Sequence, residues 1–182
     1  MTRGTRQKVR KTALALLIAE GVAGFTIDEI SRRSGVAKTT VYRHWSSVHD
    51  LLIDTVAVQI EHLPTPDTGG LRSDLGTLFG LVLSMPEIAD KRRMMFGLMQ
   101  AATDDPPLRE ALNDLTRKRS ETVRNILIHA RDRGELTPGI DVDHAVDIVE
   151  GPIIYRYMIR GDAFDQRDLD AIIDMIVAAL TK

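Results

Sequence analysis

Apolar residues recur at three- and four-residue intervals along nearly the whole chain, and sustained alternation at intervals of two is absent. Val9, Ala13, Leu16 and Leu17 make the inner face of a first helix, from about Arg6 to Glu20, that stops at Gly21. A second helix opens under a full set of signals: Thr26 as cap, Glu29 in the capping-box position, and Phe25 placed to staple onto Ile30. It runs to about Ser34 and ends at Gly35, a residue suited to a left-handed turn. A third helix is expected from near Ala37 to about Trp45, and a fourth follows with Ser47 as its cap and Asp50 in the box position. The stretch LPTPDTGG, residues 63–70, is the clearest loop. Beyond it the pattern predicts helices from Leu71 to about Ser84 and from Glu87 to about Ala102. A turn at DDPP then leads to a long helix from about Pro107 to Arg133. After the loop RGELTPGID come two more, about Val142 to Arg160 and Asp165 to Leu180. The expected fold is all-α with about nine helices, no strand, no sustained heptad and no internal repeat.

The second and third helices, joined through Gly35-Val36, have the form of a helix-turn-helix. Ile27, Ile30, Val36 and Val41 supply an inner face. That leaves Lys38, Thr39, Thr40, Tyr42, Arg43 and His44 pointing outward or sideways, as donors and as threonine methyls that suit a thymine methyl in the major groove. A plainer reading exists, since glycine-turned hairpins occur in many helical proteins and Tyr42 and Trp45 could be core. Charge separates the two readings. The net charge is −2, yet residues 1–48 hold nine Lys or Arg against three acids, so the first 48 residues carry +6 and the rest −8. A basic head on an acidic body suggests that only the head meets a polyanion.

A 43% hydrophobic and 27% charged composition describes a globular chain, and with no cysteine there are no disulfides or thiol ligands. No apolar run approaches the roughly 20 residues of a spanning helix. The basic TRGTRQKVRK followed by TALALLIAEG imitates a secretion signal, but its apolar part is short and reaches Glu20 quickly. It reads as an amphipathic helix of a cytoplasmic, nucleoid-associated protein with no membrane partner. The five histidines are scattered, and no H-E-x-x-H, phosphate loop or nucleophile elbow appears. No catalytic residue, metal or cofactor is expected, and an all-helical enzyme is a remote alternative.

The stretch FTIDEISRRSGVAKTTVYRHWSSVHDLL resembles the N-terminal DNA-binding segment of the TetR family of bacterial repressors. That family's pattern runs T-x-x-x-I-A, A-G-V-S, T-[LV]-Y-x-H-F and S-K-x-x-L, and the match covers residues 6 to about 52. The resemblance implies a three-helix DNA-binding head over residues 1–48 and a helical ligand-binding and dimerisation domain over 49–182. It implies Lys38, Thr39 and Thr40 near base edges, Tyr42 and His44 on phosphates, and Thr26 on the DNA backbone. Arg3 and Arg6 of the basic arm would reach phosphate or minor groove, and the N–H groups at Ser47 and Val48 would favour a phosphate. Four positions depart from the pattern: Ser34 for alanine, Trp45 for phenylalanine, Ala37 for a capping serine, and Val48 for a lysine that often meets phosphate.

In the acidic body the last helix has a single stripe, Leu169, Ile172, Ile173, Ile176, Val177 and Leu180. The helix before it is apolar on two faces, Ala145, Ile148, Pro152, Tyr155 and Ile159 on one, Val146, Val149, Ile153 and Tyr157 on the other. Two faces fit either a central core helix or a helix shared with a second copy. The resemblance implies the latter, with Ile148, Pro152, Ile153, Ile172, Ile176 and Leu180 in a homodimer interface and two heads ~34 Å apart. Proline at 152, mid-helix, costs about 3 kcal/mol in a plain helix and favours a kink. Five of seven methionines lie between 85 and 158. Adaptable methionines suit either core filling or an apolar pocket; the family implies an inducer cavity, for which Phe79, Leu83, Met95, Phe96, Met99 and Tyr155 are the candidates. The expected function is a dimeric repressor that binds a palindromic double-stranded operator and is released by an unknown small apolar or amphipathic inducer. An activator or global regulator of the same fold is the alternative.

Overall fold

A computed structural model describes residues 3–57, 64–84, 88–161 and 165–181, the side chains of Arg3 and of residues 88–91 excepted. Among them are α1 (Arg3–Glu20), α2 (Ile27–Ser34), α3 (Lys38–Tyr42), α4 (Val48–Ala57), α5 (Leu71–Leu83), α6 (Ile88–Ala101), α7 (Pro106–Asp132), α8 (Val142–Ile154) and α9 (Gln166–Leu180). A π-helical segment, Tyr155–Arg160, continues α8. Extended backbone among the described residues pairs only in an isolated bridge between Leu136 and Thr181. The chain is all-α as expected.

The chain divides into two compact units, one of residues Met1–Glu61 with Glu87–Thr116, the other of His62–Pro86 with Arg117–Lys182. The first unit is larger than the three-helix head alone. The stripe Val9, Ala13, Leu16 and Leu17 of α1 is fully buried, and it shares a core with Leu51, Leu52 and Val56 of α4. Met94 and Leu98 of α6, Ala102 just after it, and Leu108, Leu112 and Leu115 from the start of α7 join the same core. Phe25 and Ile30 are both buried there, as the staple requires. The capping box is half formed: Glu29 N donates to Thr26 Oγ1 at 3.3 Å, while the Glu29 carboxylate turns to Arg32 and Arg33. Gly35 closes α2 with φ 66°, its N–H donating to Ser31 O at 2.9 Å. That left-handed conformation is why glycine stands there. The third helix is shorter than predicted; past Tyr42 the backbone tightens, with His44 N donating to Val41 O at 2.9 Å.

In the second unit α5 packs on α9, and α8 packs on α9 as well. Leu71, Leu75, Leu78 and Phe79 meet Ile126 and Leu127 of α7, Val146 and Val149 of α8, and Leu169, Ile173 and Ile176 of α9 in one core. A polar network fixes the entry to α5. The Arg133 guanidinium reaches Asp67 at 3.1 Å and the fully buried Asp74 at 3.0 Å, and it also pairs with Glu135. Asp74 Oδ1 accepts from the backbone N–H and the hydroxyl of Thr68 at 2.6 and 2.7 Å, and Glu135 accepts from Leu71 N at 2.7 Å. Every oxygen of the buried carboxylate is thereby met, which is the condition for burying it at all.

Two sequence expectations change here. Pro152 lies inside α8 without ending it, and the predicted single helix to Arg160 instead widens into the π-helical segment, closed by Gly161 at φ 70°. The expected partner-facing set also needs correction. Ile153, Ile172, Ile176 and Leu180 are each less than a tenth exposed because the unit's own core buries them; Ile148 and Pro152 remain on the surface.

Removing one partner from a buried ion pair leaves an uncompensated charge. Arg133→Met is therefore expected to destabilise the second unit by about 3 kcal/mol, read as an earlier transition in urea denaturation. An unchanged midpoint would show that the network carries no stability.

Candidate nucleic-acid interface

Two buried side chains hold α3 to the rest of its unit: Val41, fully buried against α2, and Trp45, just past the helix end. Trp45 is anchored by more than packing. Its indole N–H donates to Asp54 Oδ2 at 2.8 Å, and the same carboxylate accepts from Arg10 Nε at 2.7 Å and from the second arm of that guanidinium. Arg6 completes the cluster, 3.6 Å from Asp54 and with its guanidinium 5.8 Å from the Trp45 ring centre. One carboxylate on α4 thus ties α1 to the end of α3. Burial alone would raise the Asp54 pKa, but the Arg10 and Trp45 donors and the nearby cations hold it below the usual carboxylate range.

The opposite face of α3 is open. Lys38, Thr39 and Tyr42 are exposed, with Tyr42 at 52%; Thr40 is half-buried, and Arg43 and His44 follow on the surface. Lys38 is engaged, its ammonium 2.6 Å from Asp28 in the first turn of α2. Partial desolvation, with the positive charge of Arg43 and Arg6, pushes the His44 pKa below its ordinary value, so its ring is neutral at pH 7. Ala37 provides no side-chain cap to α3, as its sequence predicts. Ser47 caps α4 through Asp50 N at 3.0 Å, and Val48, at 38% exposure, opens that helix with no cation.

Five of the head's nine cations are paired, and of the four acids that meet them only Asp54 lies beyond residue 48, so the pairing takes one charge from the +6. Arg6 and Arg10 meet Asp54; Arg32 meets Glu29; Arg33 meets Glu29 and Glu20; Lys38 meets Asp28. Hydrogen bonds from Arg32 and Arg33 pull the Glu29 pKa down to about 2, so it stays ionised at any working pH. Lys8, Lys11 and Arg43 form no ion pair among the described residues. Of the residues expected at DNA, Thr26 caps α2, Lys38, Thr39, Thr40 and Tyr42 lie on α3, and His44 and Ser47 lie in the turn into α4. Arg6 turns instead to Asp54 and Trp45, and the Arg3 side chain lies outside the described residues.

The six residues expected around a ligand divide between the two units, Met95, Phe96 and Met99 in the first and Phe79, Leu83 and Tyr155 in the second. Phe79 is buried in the second unit's core with Leu83 packed against it, and Tyr155 of the π-helical segment is 55% exposed. Met95 packs on the first unit's core, whereas Phe96 and Met99 are exposed along α6. Met85, one of the methionines that suggested a pocket, lies outside the described residues. The first unit does contain an apolar groove of about 200 Å³, lined by Val22, Phe25, Val48, Leu52, Ala101 and Leu108, with His49 and Asp105 paired beside it. None of the six lines it.

Asp28 and Asp54 are the side chains that sequence reasoning missed. A signal existed for the second: tryptophan at 45, where the family pattern has phenylalanine, brings an N–H that needs an acceptor once buried.

A helix-turn-helix with a polar, exposed outer face, braced within its own unit by α1 and α4, is the form expected of a DNA-binding transcriptional regulator. Residues 9–55 match the profile described as bacterial regulatory proteins, tetR family, and residues 65–176 match the tetracyclin repressor-like C-terminal domain. The chain belongs to the TetR family. It is 28% identical over 164 residues to the uncharacterized HTH-type transcriptional regulator YdeS of Bacillus subtilis (strain 168), covering 87% of this chain and 81% of that one. The DNA-binding transcriptional repressor TetR of Mycobacteroides abscessus is 28% identical over 173 residues, 91% of this chain and 90% of its own. The crystal structure of the TetR family transcription regulator SCO0332 superposes with a TM-score of 0.72 at 30% identity, over 99% of this chain and 100% of that one.

Asp54→Asn keeps the shape and removes the charge, and is expected to cost about 2 kcal/mol, the scale of hydrogen bonds to a charged group. Because the folded-state pKa is depressed, the wild-type contribution is present above about pH 4 and fades as pH falls through the folded value. Urea titrations at neutral and acid pH should show the variant's deficit shrinking as the solution is acidified; a constant deficit would contradict the assignment.

Proposed function

We propose that this regulator is a dimeric repressor of a palindromic operator, released by a small apolar or amphipathic inducer. Residues 1–48 read DNA, and the chain from 49 onward supplies ligand binding and dimerisation. The protein acts on the nucleoid, in the cytoplasm; no helix among the described residues is long and apolar enough to cross a membrane. The observation that carries the DNA assignment is the two-sidedness of α3, with Val41 and Trp45 buried behind and Lys38, Thr39 and Tyr42 exposed in front. Lys38, Thr39 and Thr40 stand at the N-terminal end of α3, where a recognition helix meets base edges. Tyr42, His44, Thr26 and the α4 N-terminus at Ser47 flank them as phosphate contacts. Arg6 is held by Asp54 and Trp45 in the free protein, so any contact from it to DNA first opens that pairing.

Dimerisation is supported by apolar surface on the second unit. Ile148, Ile154, Tyr155 and Ile159 are about half exposed and Met175 is 65% exposed, and Pro152 lies on the surface with them. Such surface along adjoining helices marks an interaction site. Inducer and operator must then disfavour each other reciprocally, whatever the ligand. The repressor direction follows the family resemblance and the printed name of the Mycobacteroides abscessus relative.

Selection of operators from random duplexes should return a palindrome. Lys38→Ala is expected to relax preference at particular positions, by about 1–3 kcal/mol for a lost base contact, and Tyr42→Phe to weaken all sequences alike. No preferred duplex would remove the reading. A phosphate contact would raise the depressed His44 pKa, so affinity should grow as pH falls between the bound and free values. His44→Gln should flatten that dependence. Ile148→Asp with Ile159→Asp should yield monomers in sedimentation and lose the advantage of the full palindrome over a half-site.

A further inference from the structure

The pair between Asp28 and Lys38 joins the first turn of α2 to the first residue of α3 at 2.6 Å. Both side chains are open to solvent, at 75% and 53%, so the pair contributes little to folding. The α2–α3 crossing is already held by Ile27, Ile30, Val36 and Val41, all buried. Its consequence lies at the DNA-facing surface. The other acid of that turn, Glu29, is occupied by Arg32 and Arg33. Lys38 is the cation that Asp28 meets, and it stands at the base-reading end of α3.

We propose that Asp28 is a specificity-determining residue: by holding the Lys38 ammonium it weakens binding to DNA of arbitrary sequence more than binding to the operator. The proposal rests on α3 being the reading element. Binding to arbitrary sequence depends on cations neutralising phosphates and releasing counterions. A lysine closed on a carboxylate offers almost no net charge for that purpose. If the ammonium moves to a phosphate, Asp28 is left bare beside a second anion. At a base edge the balance differs. Guanine O6 and N7 are neutral acceptors, and an ammonium has three N–H donors. Lys38 can serve both guanine atoms and keep Asp28 on its third donor, with the carboxylate fixing its direction. Phosphate competes with Asp28 for Lys38, whereas a base edge shares it.

The test measures affinity for the selected operator and for a scrambled duplex of the same length and composition, across a salt series, with full-length protein. For Asp28→Asn, affinity for the scrambled duplex is expected to rise about five-fold, the upper range of an exposed pair, with its log–log salt slope steeper by about 0.9. Operator affinity should change less than about two-fold, so the ratio of the two falls. Asp28→Glu should restore the wild-type ratio, and in a Lys38→Ala background Asp28→Asn should lose its effect. Equal gains on both duplexes, or the same gain without Lys38, would mean general charge repulsion and would overturn the proposal. Thermal melting of each variant excludes a folding origin. If the wild-type protein itself prefers no duplex, the DNA-reading assignment fails first and takes this proposal with it; if it does prefer one and the ratio stays unmoved in Asp28→Asn, only the proposal fails.

Discussion

The position of α3 depends on one carboxylate. Asp54 sits on α4, accepts from the Trp45 indole at the end of α3 and from Arg10 on α1, and has Arg6 close by. α3 is only five residues long and could not hold a fixed direction by its own hydrogen bonds. Its angle is imposed from behind, by Val41 packed on α2 and by Trp45 fixed on Asp54. Apolar burial sets the depth of the helix, while the directional indole bond sets its rotation. The two constraints act about one helical turn apart, with Trp45 N donating to Val41 O at 3.1 Å.

The same unit shows why summed charge is a poor guide to binding strength. Nine basic residues against three acids give the head its +6, and Arg6, Arg10, Arg32, Arg33 and Lys38 lie in ion pairs with acids on α1, α2 and α4, which fixes where the charge sits more than how much there is. Those pairs join neighbouring helices, and they leave Lys8, Lys11 and Arg43 as cations with no ion pair among the described residues. Val48 in place of a basic residue at the start of α4 points the same way.

What the sequence disclosed follows the range of each interaction. Thr26, Gly35 and Ser47 act within three or four residues, and each was legible as a cap or stop. The buried stripe of α1 was legible because its period is local. Other features join distant positions and leave no such trace. Arg133 meets Asp74 and Asp67 across separations of 59 and 66 residues, and no spacing rule points to that. The stripe of α9 announces burial but not the surface that buries it; the resemblance points Ile172, Ile176 and Leu180 to a partner, and the unit's own core holds all three. The π-helical segment has no residue signature that separates it from the α-helix it continues. Within the candidate interface the outer residues of α3 were readable, whereas Asp28 and Asp54, which pair with Lys38 and with Trp45, were not.

The division of labour along α3 has a consequence for how such a regulator changes over generations. The frame uses Val41 and Trp45, and Thr39, Tyr42 and Arg43 contribute nothing to the core. Substitutions on that outer row leave the molecule's architecture untouched, and under the proposed reading they would change the sequence that is bound. After duplication, two copies of this chain could drift to separate targets in a few steps while remaining nearly superimposable. Similarity of shape among such proteins is then a poor guide to which genes they govern.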